Sequence, residues 1–506
     1  MDFPKRIEGI EGEVVDSWND EIEEFLAKPQ SPMHSSDSVD IDNEALQSSL
    51  GNIVSGLEQR LRGSFGIDGS DECDPDIGRA VRTSKNLLRW YIQIYLEQVN
   101  LQRQRQKSQD VCRIDVLRST NTLSSVIEIL KWSVEGDRNL KLAHNASLYI
   151  FYATYSHFPG DKIASTGIGH LISNHDFPNE CLHILMKTNE IPLALTLVRN
   201  LHSMTVSFPT ARASILNAKV RFDSLSNEQS PPWAPTEETT INFTDTCLAL
   251  IRYSIDSSPL FPSDDPEDKR ADLVIEILNC FYAMRKGQEL VHPTTAITTG
   301  NHSLSFDHLI VRILQLSHLT QSTNENTDVA ICKRTLRCKL SAVSILMDSD
   351  VSFGKYLVEN DSFGGLLDIF QHQVNDVVDN TKVDGSATAS LVPILVVLNR
   401  YAAANSIVQE TVKKFVFPAE TEKNIQQSTA KNRKNKMSPL DAPKDTLRGK
   451  LIALLSWVDG YIKRCSAELM WTICDSNSSE FTFRVGLGNA LPLLNSKGLS
   501  PIPIPS

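Results

Sequence analysis

Apolar residues recur at helical spacing along most of the chain. In SLVPILVVLNRYAAANSIVQETVKKFVFP (residues 390–418), Leu391, Ile394, Leu395, Leu398 and Ala402 fall on one face at the 3.6-residue period. In PLDAPKDTLRGKLIALLSWVDGYIKRCSAELMWTICDSNSSEF (residues 439–481), Leu447, Leu451, Leu454 and Val458 line one stripe and Ile462, Cys465, Leu469 and Ile473 another. Helix signals are just as dense from residue 81 to residue 207, in segments such as VLRSTNTLSSVIEILKWSV and IPLALTLVRNLHSMTVSF. Almost no run keeps the two-residue alternation of a strand, so the pattern predicts an all-α fold. The helices are short, are broken by Asp, Gly or Pro, and can each bury only one face. That is the signature of a stacked helical repeat.

An internal echo supports repeats. LTLVRNLHSM, IEILNCFYAM and LVVLNRYAAA each place an asparagine after an aliphatic run, at Asn200, Asn279 and Asn399. The separations, 79 and 120 residues, approximate two and three units of about 40 residues, the armadillo/HEAT period. In arrays of that kind such an asparagine faces a concave groove, where its amide both donates to and accepts from the main chain of a bound peptide. Arg199 and Arg400 beside them would add charge for an acidic segment or a terminal carboxylate. The alternatives are that the asparagines mark helix ends and that the arginines are solvated face charges.

Polar stretches divide the chain. Residues 1–45 are acidic, with a Ser/Pro-rich interruption, and read as a flexible head; helical repeats are expected over 46–499, and 500–506 as a disordered end. SLSNEQSPPWAPTEETT (224–240), SSPLFPSDDPEDK (257–269) and HPTTAITTGNHS (292–303) read as loops. Between residues 420 and 446 the chain turns polar and basic, with KNRKNK at 431–436. That tract reads as a nuclear address, an anionic-surface contact or, preferentially, an insert within a repeat.

At 506 residues the chain exceeds a single compact core, which favours an elongated array. A net charge of −12 and a pI near 5.5 argue against a nucleic-acid partner. The nine cysteines form no CxxC pair, which points to reduced thiols and an intracellular, cytoplasmic setting, with the cell cortex as a further possibility. No apolar stretch approaches the length of an integral membrane span, and the first residues lack a signal-peptide core.

Enzyme constellations are missing: there is no GxxxxGK[ST], HExxH, GxSxG or kinase set. The pairs Gly167/Gly169 and Gly486/Gly488 do not complete a dinucleotide loop and read as tight turns between helices. His170, His175 and His183 lack metal-ligand spacing. No covalent chemistry, cofactor or metal is expected.

The blocks PILVVLNRY, TLRGKLIALL, AELMWTICDSNSSEF and GLGNALPLLNSKGL, in that order, resemble the end of the synembryn family. Members of that family are cytosolic armadillo/HEAT-like right-handed superhelical solenoids that act as exchange factors and folding chaperones for heterotrimeric G-protein alpha subunits. The resemblance therefore implies capture of an alpha subunit's C-terminal helix in the concave groove, in its nucleotide-free or GDP-bound form, with membrane association only through that partner. It places Asn399, Arg400, Arg448 and Lys450 in partner-facing blocks and makes Gly486, Gly488 and Asn489 a structural turn. Animal members carry a further acidic, Ser/Thr-rich tail where this sequence reads NSKGLSPIPIPS, so weaker exchange than chaperoning is expected. A generic armadillo/HEAT scaffold with another client is the alternative.

Overall fold

The computed structural model describes most of residues 77–89 and 117–285, and residues 306–316, 328–379, 385–418 and 443–499. The acidic head, the basic tract at 431–436 and the final seven residues lie outside the described residues. The chain divides into two compact units, residues 1–261 with 272–289 and residues 262–271 with 290–506.

The first unit contains α1 (Thr120–Val134), α2 (Leu140–Thr154), α3 (Lys162–His175), α4 (Phe177–Leu185), α5 (Ile191–Ser207) and α6 (Ala211–Asn217). A two-stranded ribbon follows, β1 (Lys219–Phe222) and β2 (Thr239–Asn242), then α7 (Phe243–Asp256) and most of α8 (Arg270–Arg285). Helices α3, α4 and α5 form one triplet, and α6, α7 and α8 a second. The longest helix of each is its last, and α5 packs along α2.

In the second unit α9 (Phe306–Gln315) and α10 (Asp328–Leu346) precede a triplet of α11 (Phe353–Glu359), α12 (Phe363–Asp379) and α13 (Gly385–Ala404). A further triplet is α14 (Ser406–Val416), α15 (Leu447–Leu454) and α16 (Gly460–Ile473), and α17 (Ser478–Val485) with α18 (Leu487–Ser496) closes the series. Here α10, α13 and α16 form one layer, α9, α12 and α15 another, and α11 packs on α14. Each helix covers the apolar stripe its neighbour cannot bury alone, so the core runs between the layers.

Local sequence sets the helix starts. Ser119, Asn139, Asp161, Asn242, Asn405, Thr446, Asp459 and Asn477 each accept first-turn amide protons through a side-chain oxygen. Asp161 is also held by Arg118, whose Nη2 lies 2.9 Å from its Oδ2, while Arg118 Nε donates to Ala153 O at 2.9 Å. Both side chains are 5% exposed, so this pair fixes the end of α2 against the start of α3.

The α13 stripe read from the sequence is buried throughout, with Leu391, Ile394, Leu395 and Leu398 at 0% exposure. Four sequence expectations need correction. The ribbon β1–β2 pairs antiparallel, Lys219 opposite Asn242 and Phe222 opposite Thr239, and so flanks the 224–240 stretch read as a loop, with β2 beginning inside it. Strands of four residues are too short to establish a two-residue period. Gly167 and Gly169 lie inside α3 rather than in a turn. A Cβ at Gly167 would meet Leu123 Cδ1 at 3.1 Å, so this glycine lets α3 approach α1 closely. Val458 leaves its stripe and is fully exposed, because α15 ends at Leu454. The asparagine echo counts differently too. Asn200 and Asn279 are one triplet apart, lengthened by the ribbon and its connection, whereas α9, α10 and the triplet α11–α13 lead on from Asn279 to Asn399 among the described residues.

Candidate functional site

Helix α2 and the last helices of the two triplets in the first unit, α5 and α8, each keep one stripe open opposite the buried one. On α2 the buried positions include Leu142, Ala146, Tyr149 and Ile150, while His144, Asn145, Leu148 and Tyr152 stay half-exposed. On α5, where the apolar face is unusually wide, Arg199, His202 and Ser203 are half-exposed and Val206 is open. On α8 the corresponding positions are Glu276 and Asn279.

These stripes adjoin. His202 Nδ1 lies 2.5 Å and Arg199 Nε 3.5 Å from the two carboxylate oxygens of Glu276. Thr196 Oγ1 donates to Pro192 O at 2.9 Å, which leaves it to accept from His144 Nδ1 at 3.3 Å. Lys85 Nζ donates to Asn145 Oδ1 at 3.1 Å. Burial, then the charges of Lys85 and Arg199, lower the His144 pKa, so this ring is neutral at pH 7. Burial raises the Tyr152 pKa against the opposing pull of Arg89 and Arg199, and the phenol keeps its proton. The face thus carries the cations Lys85, Arg89 and Arg199 around neutral His144 and Tyr152, with Glu276 as the carboxylate of the Arg199 cluster. It suits an amphipathic segment that ends in negative charge.

Of the residues singled out in the sequence, Arg199 and Asn279 stand on this face. Asn279 is half-buried and its side chain makes no hydrogen bond among the described residues. Asn200 is fully buried; its Nδ2 donates to Ser147 O at 2.9 Å and Thr196 O at 3.2 Å, so its amide joins α5 to α2 instead of lining a groove.

The others belong to the second unit and are engaged within its fold. Asn399 Oδ1 accepts from Thr472 Oγ1 at 2.6 Å, joining α13 to α16. Arg400 donates through Nη1 to Met347 O and through Nη2 to Ser349 O, the latter at 2.9 Å, and so receives the free carbonyls at the end of α10. Arg448 and Lys450 are 6% and 7% exposed. Arg448 Nη2 donates to Arg484 O at 2.9 Å, and Lys450 Nζ reaches Asn375 Oδ1 at 2.9 Å and Asp379 Oδ2 at 2.5 Å on α12. Gly486 has φ 86° and ends α17 directly against the start of α18, a conformation that glycine adopts without strain. Gly488 lies in the first turn of α18 and Asn489 Nδ2 donates to Val485 O at 2.9 Å.

Sequence reasoning missed Lys85, Arg89, His144, Tyr152 and Glu276. The available signal was the four-residue series His144, Leu148 and Tyr152, a mixed polar and apolar stripe opposite the buried α2 face. Among the described residues no group of three or more His, Cys, Asp or Glu could hold a metal ion, and no helix is long and apolar enough to cross a membrane. His170 and His175 do converge, each with Nε2 2.8 Å from Ser124 Oγ.

Fold and face together define a predominantly helical protein of layered helix triplets with an open, cation-bearing face. The family described as guanine nucleotide exchange factor synembryn (Ric8) matches residues 190–503, more than half of the sequence, and the chain belongs to that family. Chaperone Ric-8A of Xenopus laevis is 44% identical over 55 residues, 11% of this chain and 10% of the relative. Chaperone Ric-8A of Gallus gallus is 38% identical over 55 residues, with the same coverage. The chain thus spans about a tenth of the length of these curated relatives. It also aligns with the crystal structure of an engineered protein at a TM-score of 0.41 and 11% identity, over 96% of this chain and 95% of the other, a likeness too low to bear on the fold.

Proposed function

We propose that this chain binds the alpha subunit of a heterotrimeric G protein, in its nucleotide-free or GDP-bound form, and acts on it as exchange factor and folding chaperone. The observation that carries the reading is the open face on α2, α5 and α8. A C-terminal helix of the alpha subunit would lay its apolar side on Leu148, Tyr152 and Val206 and bring its terminal carboxylate to Arg199 or Arg89. Removing that helix from its own subunit would loosen the nucleotide pocket. The same grip on a nascent subunit would be chaperoning. Exchange of this kind needs no acid, base or nucleophile, only tighter binding of the nucleotide-free form. The helix triplets are proposed to be armadillo/HEAT-like repeats of a right-handed solenoid over residues 46–499, working in the cytoplasm. Family membership and the ordered C-terminal blocks support the reading.

The test is fluorescence anisotropy with a labelled C-terminal peptide of an alpha subunit from the same organism. Arg89→Glu with Arg199→Glu should weaken binding by tenfold or more, on the order expected for reversing two contacting charges. A pull-down should retain nucleotide-free alpha subunit and not the GTP-analogue form. Retention of neither form would leave a helical scaffold with another client.

A further inference from the structure

The turn between α15 and α16 with the first two residues of α16, Ser456-Trp457-Val458-Asp459-Gly460-Tyr461, breaks the burial pattern of the second unit. Leu454 and Leu455 before it and Ile462 after it are buried, at 0%, 3% and 0% exposure, so the turn is held at both ends by the core. Between those anchors Val458 is fully exposed, Tyr461 is 77% exposed and Trp457 is half-exposed. Three apolar or aromatic side chains therefore project from a rigid tip. Asp459, the one carboxylate in the turn, accepts from Tyr461 N at 2.8 Å and Ile462 N at 3.1 Å, so its charge is directed into the start of α16. One helical turn beyond Tyr461 stands exposed Arg464, with Lys463 beside it, and neither cation forms an ion pair among the described residues. The next carboxylate along that face, Glu468, is 2.9 Å from Lys497 Nζ.

We infer that this tip is a peripheral membrane contact that inserts Trp457, Val458 and Tyr461 at the interface of an anionic bilayer. Trp and Tyr favour the boundary between headgroups and acyl chains, where an apolar ring and a polar edge are both satisfied. Lys463 and Arg464 sit just behind them, at the level of the headgroups, and attract anionic lipid although the chain as a whole is acidic. A protein partner would be served by a concave or flat patch. A convex tip with three apolar side chains and cations at its base fits a fluid surface better. The contact is reversible, since so few side chains insert. It belongs to the second unit, whereas the face proposed to hold the alpha subunit belongs to the first, and it does not depend on that assignment.

The experiment is co-sedimentation of the full chain with vesicles of phosphatidylcholine alone and of phosphatidylcholine with about one third phosphatidylserine, at low and physiological salt. The wild type should bind the anionic vesicles and not the neutral ones. Val458→Glu with Tyr461→Glu should weaken that binding tenfold or more, and Arg464→Glu should weaken it with the largest effect at low salt. All three positions are exposed, so thermal unfolding and peptide anisotropy should match the wild type. A third variant with Lys431, Arg433, Lys434 and Lys436 changed to Gln isolates the basic tract. The proposal is overturned if the wild type ignores anionic vesicles. It is equally overturned if the Val458/Tyr461 variant sediments as the wild type does, and binding lost only in the 431–436 variant would assign the contact to that tract.

Discussion

Lys339 shows how a single side chain can load the fold. It is 1% exposed on α10, and burial lowers its pKa to about 8, partly opposed by Asp368. An ammonium that is harder to protonate when folded than when unfolded makes folding less favourable below about pH 8, where both states are charged. Between about pH 8 and the ordinary lysine value of 10.5 the unfolded chain binds the extra proton, so this group's contribution to stability rises with pH. Lys339→Met removes that dependence. The wild-type urea midpoint should therefore gain on the variant's as pH rises through that window, while other titrations cancel in the comparison. A constant difference would remove Lys339 as the cause. At the same scale the buried thiols of Cys181 and Cys247 have pKa values raised well above the ordinary range by burial, so they should resist alkylation at pH 8 in the folded protein.

At the scale of elements, two adjacent glycines on α12 separate close packing from open space. A Cβ at Gly365 would come 2.0 Å from Leu314 O, a backbone atom at the end of α9, whereas nothing lies within 4 Å of one at Gly364. Gly365→Ala should force α12 off α9 and cost about 2–4 kcal/mol. Gly364→Ala should be neutral or stabilising by up to about 1 kcal/mol, as expected for a helical glycine with room. Chemical denaturation of the two variants checks both, and equal effects would remove the packing argument. Arg400 belongs to this scale too. Its contacts with Met347 O and Ser349 O hold the end of α10, so Arg400→Ala should cost about 2 kcal/mol and leave alpha-subunit peptide affinity unchanged. Reduced peptide affinity at unchanged stability would return Arg400 to the partner site.

At the scale of the whole molecule, the two units carry different parts of the reading. The blocks that resemble the synembryn family lie in the second unit, where Arg400, Arg448, Lys450 and Asn399 all bond within the fold. The open cationic face lies in the first unit, with Lys85, Arg89 and the α2 stripe before the family match begins at residue 190 and the α5 and α8 stripes within it. Charge reversal at Arg448 or Lys450 should accordingly act on stability before it acts on binding. Each is nearly buried, and a carboxylate would face Arg484 O at the first site and Asp379 at the second. Differential scanning fluorimetry beside peptide anisotropy separates the two effects.

The sequence by itself determined the all-helical class, the α13 and α16 stripes, many of the helix starts and the glycine corner at Gly486. Each follows from residues within a turn or two of one another: apolar period, an Asx or Ser/Thr cap, a φ that only glycine tolerates cheaply. It also placed Arg199 and Asn279 among the candidates, through an echo whose two intervals span different numbers of described helices. Tertiary structure alone decided which polar residues are open. Asn200 and Asn279 follow similar aliphatic runs, yet one is sealed against Ser147 while the other is half-open, because α5 has α2 along that side. Arg199 and Arg400 read alike in sequence, but one pairs with a partly exposed carboxylate and the other meets the bare carbonyls of a helix end. The face built from Lys85, His144, Tyr152 and Glu276 joins residues nearly 200 positions apart, and only packing brings them together.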